Sequence, residues 1–174
     1  MRKHFAACVL FLFVAGNCRA EPVAPVFADY PMVVEPSSRP IKPKPKLNSS
    51  QSRRYATQIS TAARGKINFA GHHILAEWGC GAGCVMAAAI DSNTGKVVML
   101  PFTVSDWPLD ITEPLAYRKD SALLTVHGSR NEQGRGTYYY RFDSSAFTPI
   151  KTTDSLNPPL PPSTPARRDS DTAP

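Results

Sequence analysis

The residues best suited to chemistry lie in the short segment Trp78–Val85. Its two cysteines, Cys80 and Cys84, are separated by three small residues, two of them glycines. In an oxidising compartment such a pair forms a disulfide by default, and the small residues let the chain curl enough to bring the sulfur atoms together. We therefore predict a Cys80–Cys84 disulfide that fixes a sharp turn between two strands.

A redox site and a metal site are two other roles for this cysteine pair, and the sequence supports them less well than a structural disulfide. A dithiol redox motif usually has the spacing Cys-x-x-Cys beside a parallel α/β sheet, and here the spacing is one residue longer. A metal site would combine the cysteines with one of His72 and His73, because adjacent residues on a strand face opposite sides. The spacing identifies no further ligands, so the sequence predicts no metal and no other cofactor.

A cysteine hydrolase is the catalytic alternative. Cys84 would be the nucleophile and His127, 43 residues later, the base. Such enzymes place the cysteine at a helix start, where the helix dipole lowers the thiol pKa. The residues after Cys84 have the pattern of a strand, so the leading interpretation assigns no catalytic residue.

A second polar cluster, Gly128–Gly136, joins two predicted strands and is rich in glycine, charge and amides. Loops of this composition often carry recognition, although a flexible hairpin loop has the same composition. Strand alternation turns Tyr139 away from both of its tyrosine neighbours, towards a possible contact face. The candidate binding residues in the two glycine-rich segments and beside them are Gly81, Gly83, Ser129, Arg130, Asn131, Arg135 and Tyr139.

Five short motifs form a recognisable set along residues 51–151. They are N-F-A-G-H at 68–72, W-G-C-G-A-G-C at 78–84, D-x-x-T-G-K-V at 91–97, G-S-R-N at 128–131 and G-T-Y-Y-Y at 136–140. Together they resemble a group of uncharacterised bacterial exported proteins. The resemblance implies an exported protein of a Gram-negative bacterium and implies no activity. His73 departs from the group's pattern, which has a tyrosine there.

The elements that must position these motifs are one helix and a series of strands. Apolar residues recur at helical spacing over 52–64, with Ser50 or Ser52 predicted to cap the start and Gly65 to end the helix. Seven later segments have the length and composition of strands. They are 73–78, 85–90, 97–100, 115–118, 122–127, 137–142 and 147–151.

Short turns between these segments favour antiparallel hairpins. The predicted fold class is therefore mainly β (α+β): a small antiparallel sheet of about seven strands, curled or sandwich-like, with one N-terminal helix. This single domain is predicted to span 51–153. The proline-rich basic linker 21–50 and the proline-rich tail 154–174 are expected to be disordered.

The first 20 residues have the layout of a secretory signal peptide. A basic start is followed by a run of about a dozen mostly apolar residues and by small residues at Cys18 and Ala20,. The run is too short to span a bilayer, and no later stretch is apolar enough to do so. Lipidation of Cys18 is a weaker alternative, because Asn17 breaks the usual pattern before a lipidated cysteine.

Cleavage after Ala20 changes the charge balance. It reduces the 20 basic residues to 17 against 14 acidic ones, which lowers the net charge from +6 to +3. Eight basic and no acidic residues lie in 39–66, whereas 67–154 holds seven basic and nine acidic ones. The basic character therefore belongs to a tail and not to the folded part of the chain. A basic tail attracts anionic surfaces without specificity, and a nucleic-acid partner is not expected.

The sequence as a whole favours a non-catalytic binding or inhibitor-like module that is periplasmic or secreted. No Ser/His/Asp pattern, no carboxylate pair at a strand end and no strong metal cluster is evident. An envelope protein or an anionic envelope polymer is the expected partner. The alternatives are the cysteine hydrolase and a structural envelope protein tethered by its basic tail.

We predict that the exported chain begins at Glu21, because the small-x-small site ends at Ala20. Intact mass spectrometry of protein recovered from the periplasm or medium checks this. A chain that begins at a lipid-modified Cys18 would contradict the prediction.

Overall fold

The structure, a computed structural model, describes residues 23–34 and 44–154. The predicted signal peptide and nearly all of the predicted C-terminal tail lie outside these residues. Within them, a short 3-10 helix at Phe27–Asp29 and two short α-helices precede eight strands. The elements are α1 (Ser50–Arg54), α2 (Ala56–Ala62), β1 (His73–Gly81), β2 (Cys84–Asp91), β3 (Val97–Met99), β4 (Val104–Ser105), β5 (Leu115–Tyr117), β6 (Leu123–Arg130), β7 (Gln133–Phe142) and β8 (Phe147–Asp154).

All eight strands belong to one antiparallel sheet, which confirms the predicted fold class. The main path through the sheet is β1-β2-β4-β6-β7-β8, with β3 paired to β2 and β5 paired to β6. The strand that sequence analysis missed is β4, which has only two residues. A strand of that length shows no alternation, yet it joins the β1–β2 half of the sheet to the β6–β8 half.

The helical region differs in detail from the prediction. A single helix over 52–64 is replaced by two helices that meet at Tyr55. The cap is Ser49, whose Oγ accepts from the Ser52 backbone N–H (2.9 Å), while Ser52 Oγ accepts from the Ser49 N–H (3.0 Å). Ser52 is thus the third residue of a capping box, and neither Ser50 nor Ser52 is the cap itself. No helix among the described residues is long and apolar enough to cross a membrane.

The two faces of the β1–β2 hairpin are covered differently. On one face, Ile59 and Ala63 from the helical region pack against Ile74, Ala76 and Ile90. Ile59 is completely buried, and complete burial of such a side chain contributes roughly 1.5–3 kcal/mol. The helices are therefore held against the sheet by this small cluster.

The opposite face of the sheet carries the main core, which draws on both ends of the sheet. Phe69 is completely buried, and its ring lies 5.2 Å from that of Phe142 between centroids. The ring of His73, at the start of β1, lies 4.9 Å from the same Phe142, near the end of β7. Because β1 and β7 are four places apart in the strand order, these contacts mean that the sheet curls around the core.

Residues 23–34 do not follow the expectation of disorder for the linker 21–50. The Met32 N–H donates to the Asp120 carbonyl (2.9 Å), and Tyr30 accepts from the Ala122 N–H (2.8 Å). The Ser121 hydroxyl also donates to the Phe27 carbonyl (2.9 Å). The reason is that the turn before β6 needs partners for its backbone groups, and the non-proline residues of this segment supply them.

We predict that Gly128→Ala lowers the free energy of unfolding by roughly 2–4 kcal/mol. Gly128 has φ +119°, and an added Cβ would overlap the Ser105 carbonyl oxygen. Gly83→Ala is the matched control. Its φ is also positive, at +60°, but nothing lies within 4 Å of the new Cβ, so the expected loss is about 1 kcal/mol. Urea unfolding of both variants measures the difference, and equal losses would refute the close approach at Gly128.

Candidate functional site

The two glycine-rich segments singled out in the sequence lie at the same end of the sheet. Cys84 at the start of β2 pairs with Ser105 of β4, and Ser105 pairs on its other side with Ser129 of β6. The β1–β2 turn and the β6–β7 turn are therefore neighbours, with β4 and the loop after it between them. We call the shallow depression there the tip surface. It is lined by Ala82, Gly83, Cys84, Thr103, Ser105, Asp106, Trp107, Leu109 and Glu132.

The β1–β2 turn is fixed by the predicted disulfide. The sulfur atoms of Cys80 and Cys84 lie at bonding distance, and their Cα atoms are 5.1 Å apart. Gly81 and Gly83 are exposed and have positive φ angles of 148° and 60°. Backbone of this kind favours glycine, so the sequence makes a tight, rigid turn.

The β6–β7 turn is fixed by hydrogen bonds to the neighbouring loop. The Asn131 N–H donates to the Thr103 carbonyl (2.9 Å), and the Asn131 side-chain oxygen accepts from the Thr103 N–H (3.0 Å). Ser129 is nearly buried, and its hydroxyl lies 2.6 Å from the Gly134 carbonyl oxygen. These two predicted binding residues therefore position the turn.

The Arg130 side chain also makes contacts within the fold, with two tyrosines of β7. Its guanidinium carbon lies 3.7 Å from the centroid of the Tyr138 ring, and Nη1 donates to the Tyr140 hydroxyl (2.7 Å). A guanidinium over an aromatic face contributes about 0.5–2 kcal/mol. Both tyrosines are buried in the main core, so the partly exposed Arg130 covers the core at this end of the sheet.

The other two predicted binding residues, Arg135 and Tyr139, lie on different parts of the surface. Arg135 is exposed beside the tip surface, and its Nε donates to the Asp106 carbonyl (3.2 Å). Tyr139 pairs with Thr125 and Lys151 on the face opposite to the main core. The alternation predicted for the three tyrosines is confirmed, but it places Tyr139 away from the tip surface.

Sequence analysis missed the apolar and acidic residues that line this end of the sheet. Leu109 is fully exposed, and Trp107 beside it is half-buried. Asp106 and Glu132 line the same depression, and segment 103–113 holds three acidic and no basic residues. The sequence did contain a signal for this site, because Leu109 is an apolar residue within an acidic segment that lacks the alternation of a strand. The tip surface combines an exposed apolar side chain with negative charge.

The structure does not bring the proposed hydrolase pair together. Cys84 is bonded to Cys80. Cys84 is aligned through Ser105 with Ser129 of β6, which is two strands away, and His127 lies two residues before Ser129. Standard strand spacings then place the Cα atoms of Cys84 and His127 roughly 12 Å apart. The His127 Nδ1 is 3.1 Å from the Thr137 hydroxyl, and burial lowers the pKa of the imidazole.

A further polar group that sequence analysis missed links β1 to β5. Burial raises the pKa of Glu77, and the negative charge of Glu113 raises it further. A hydrogen bond with Tyr117 lowers this pKa but does not cancel the increase. Burial and these two carboxylates also raise the pKa of Tyr117. A carboxyl with a raised pKa is a property of general acids. Glu77 lies on β1 and Tyr117 on β5, so this interaction connects two strands that are not neighbours in the sheet.

Comparisons with known proteins give no relative. No family model, no curated protein and no solved structure matches this chain.

We predict that the double substitution Cys80→Ser and Cys84→Ser lowers the free energy of unfolding by about 2 kcal/mol, the chain-entropy value for so short a loop. Urea unfolding measures this loss. Thiol alkylation of denatured wild type before and after reduction checks the disulfide itself. Alkylation of both cysteines without reduction would contradict the disulfide and revive the hydrolase alternative.

Proposed function

We propose that this chain is an exported, non-catalytic binding module that holds a partner protein at the tip surface. The observation that carries the proposal is the placement of fully exposed Leu109 between two turns that are held rigid by different means. One turn is closed by the disulfide, and the other is hydrogen-bonded to Thr103 through Asn131. Rigid turns reduce the entropy lost on binding.

The side chains of the tip surface indicate the chemistry of the partner. Leu109 and the half-buried Trp107 supply apolar area, which fits a pocket on the partner. Asp106, Asp110 and Glu132 are exposed around them. Opposite charges across an interface speed association and exclude wrong partners. The expected partner is therefore an envelope protein with an apolar pocket rimmed by basic residues, as in an inhibitor that occupies a cleft.

Export to the periplasm or beyond is part of the same proposal. It rests on the signal-like residues 1–20 and agrees with the paired cysteines, since an oxidising compartment forms and keeps such a bond.

A second candidate function rests on the distribution of positive charge. All six basic residues within 44–66 are exposed, and they are Lys44, Lys46, Arg53, Arg54, Arg64 and Lys66. They lie on the first helix and in the segments that flank the two helices, and we call this stretch the basic helical region. The lining of the tip surface, in contrast, has acidic and no basic side chains. The basic helical region suits an anionic envelope polymer or lipid headgroups, and the protein would then be tethered to the envelope. Salt weakens such an attachment, but it weakens an apolar contact at Leu109 much less.

We predict that Leu109→Asp reduces the capture of the partner at least tenfold, because a charge would enter an apolar pocket. Val33→Asp is the matched control, since Val33 is also highly exposed and its carbonyl lies against Gly71, just before β1, at the opposite end of the β1–β2 hairpin from the tip surface. A photo-crosslinking residue placed at position 109, and in parallel at position 33, identifies the partner in periplasmic extract. The purified partner is then titrated against the wild type and both variants.

Two results would sink this proposal. One is a partner whose affinity is the same for wild type and Leu109→Asp. The other is envelope association that disappears when the six basic residues are replaced and is insensitive to position 109, which would establish the tether instead.

A further inference from the structure

A cluster of potential metal ligands lies at the opposite end of the β1–β2 hairpin from the disulfide. One ring nitrogen from each of His72 and His73 and one carboxylate oxygen of Asp91 lie within 4.8 Å of one another. This cluster shares no residue with the tip surface. Any role that it has is independent of the proposed function.

We propose that His72, His73 and Asp91 bind one divalent transition-metal ion of the zinc class. Neutral imidazole suits Zn²⁺, Cu²⁺, Ni²⁺ and Fe²⁺, whereas Ca²⁺ and Mg²⁺ prefer sites made of oxygen ligands alone. Two imidazoles and one carboxylate therefore select the first group. Three protein ligands leave a fourth coordination position for water.

The backbone explains why these side chains meet. His73 is the first residue of β1 and pairs directly with Asp91, the last residue of β2, so their side chains start on the same face of the sheet. His72 lies before the strand, in a tight turn in which Ala70 and Gly71 have φ angles of 40° and 80°. The rule that adjacent residues face opposite sides does not apply there, and neither histidine is near the cysteines.

The hydrogen bonds of the cluster prepare two of the ligands. The His73 Nδ1 lies 2.9 Å from the Ala70 carbonyl oxygen, and because a carbonyl only accepts, Nδ1 carries the proton and Nε2 carries the lone pair. Metal-binding histidines usually have such a partner on the other nitrogen. One Asp91 oxygen accepts from the backbone N–H groups of Asn93 (2.7 Å) and Thr94 (3.0 Å). Its other oxygen is the one nearer His72.

Binding requires a modest rearrangement of His72. Its Nε2 is 3.8 Å from Asp91 Oδ2, close to the spacing of about 3.4 Å that zinc bonds of about 2.1 Å imply for a tetrahedral site. The two imidazole rings lie 4.3 Å apart with a 32° tilt, so both cannot direct lone pairs at one ion as they stand. The His72 side chain is partly exposed and can rotate, whereas His73 is buried and fixed.

An ion at this position would crosslink the open end of the β1–β2 hairpin. The disulfide already closes the other end of the hairpin, at Cys80, seven residues after His73 on β1. A ligand that binds only the folded chain stabilises it by mass action, so zinc is expected to raise the melting temperature.

The test is calorimetric titration of ZnCl₂ into the chain, purified without an affinity tag. We expect one site with micromolar or tighter affinity. His72→Gln and Asp91→Asn are each expected to weaken it at least tenfold. Asp91→Asn keeps a side-chain oxygen for the turn at Asn93 and Thr94, so the fold is preserved. His127→Gln, the histidine on β6, is the matched control and should bind as wild type does.

Circular dichroism and the melting temperature without metal confirm that each variant is folded. Zinc should raise the melting temperature of wild type and of His127→Gln by the same amount and that of His72→Gln by less, because a higher Kd reduces the stabilisation at a given zinc concentration. Wild type that binds no Zn²⁺ at micromolar concentrations would overturn the proposal. So would zinc affinity unchanged by both cluster substitutions, or a preference for Ca²⁺ over Zn²⁺.

Discussion

The structure depends on the narrow connection that β4 makes between the two halves of the sheet. β4 contributes two residues, and each forms one pair with β2 and one pair with β6. Val104 is completely buried in the main core. Gly128 lets β6 approach the Ser105 carbonyl more closely than any side chain would allow. Without this approach the halves would not share one core, and the turns that form the tip surface would separate.

The curl of the sheet follows from the same constraint. Phe69, from the loop before β1, contacts Phe142 and Phe147 at the far end of β7 and the start of β8. A flat sheet with this strand order would hold these residues several strand spacings apart, each spacing about 4.8 Å. The main core therefore lies inside the curl, while the helices cover the outer face of β1–β2. Charge is divided accordingly, with the basic helical region on that outer face and acidic residues at the tip surface.

Several polar residues of the five sequence motifs form hydrogen bonds that stabilise the turns and strands. The Asn68 side chain accepts from the Leu75 N–H (2.7 Å) and donates to the Leu75 carbonyl (3.1 Å). Asp91 closes the β2–β3 turn, and Asn131 holds the β6–β7 turn. Of these three, only Asn131 was a candidate for binding in the sequence analysis. In the folded chain the same groups hydrogen-bond to backbone donors and acceptors and so hold the turns in place.

The sequence by itself determined the local features of this protein. Apolar runs of strand length and glycine-rich turns gave seven of the eight strands, the hairpins and the antiparallel sheet. The spacing of Cys80 and Cys84 gave the disulfide. These features depend on residues near one another in the chain, so a linear pattern records them. The cap was assigned to Ser50 or Ser52 because several neighbouring serines satisfy the same local rule. The break at Tyr55 was missed because no glycine or proline lies near it in the chain.

Only the tertiary structure decided which of these local features meet. The pairing of β4 between β2 and β6 places Leu109 beside the disulfide turn, and the curl brings His73 to Phe142. The tight turn before β1 sets His72 beside His73 and Asp91. The first two contacts join residues whose proximity depends on long-range packing, and no spacing in the chain encodes them. The third depends on the φ angles of the turn at Ala70 and Gly71, which no residue pattern marked. The physical reason is that buried area and backbone hydrogen bonding are optimised over the whole sheet, whereas sequence periodicity reports one element at a time.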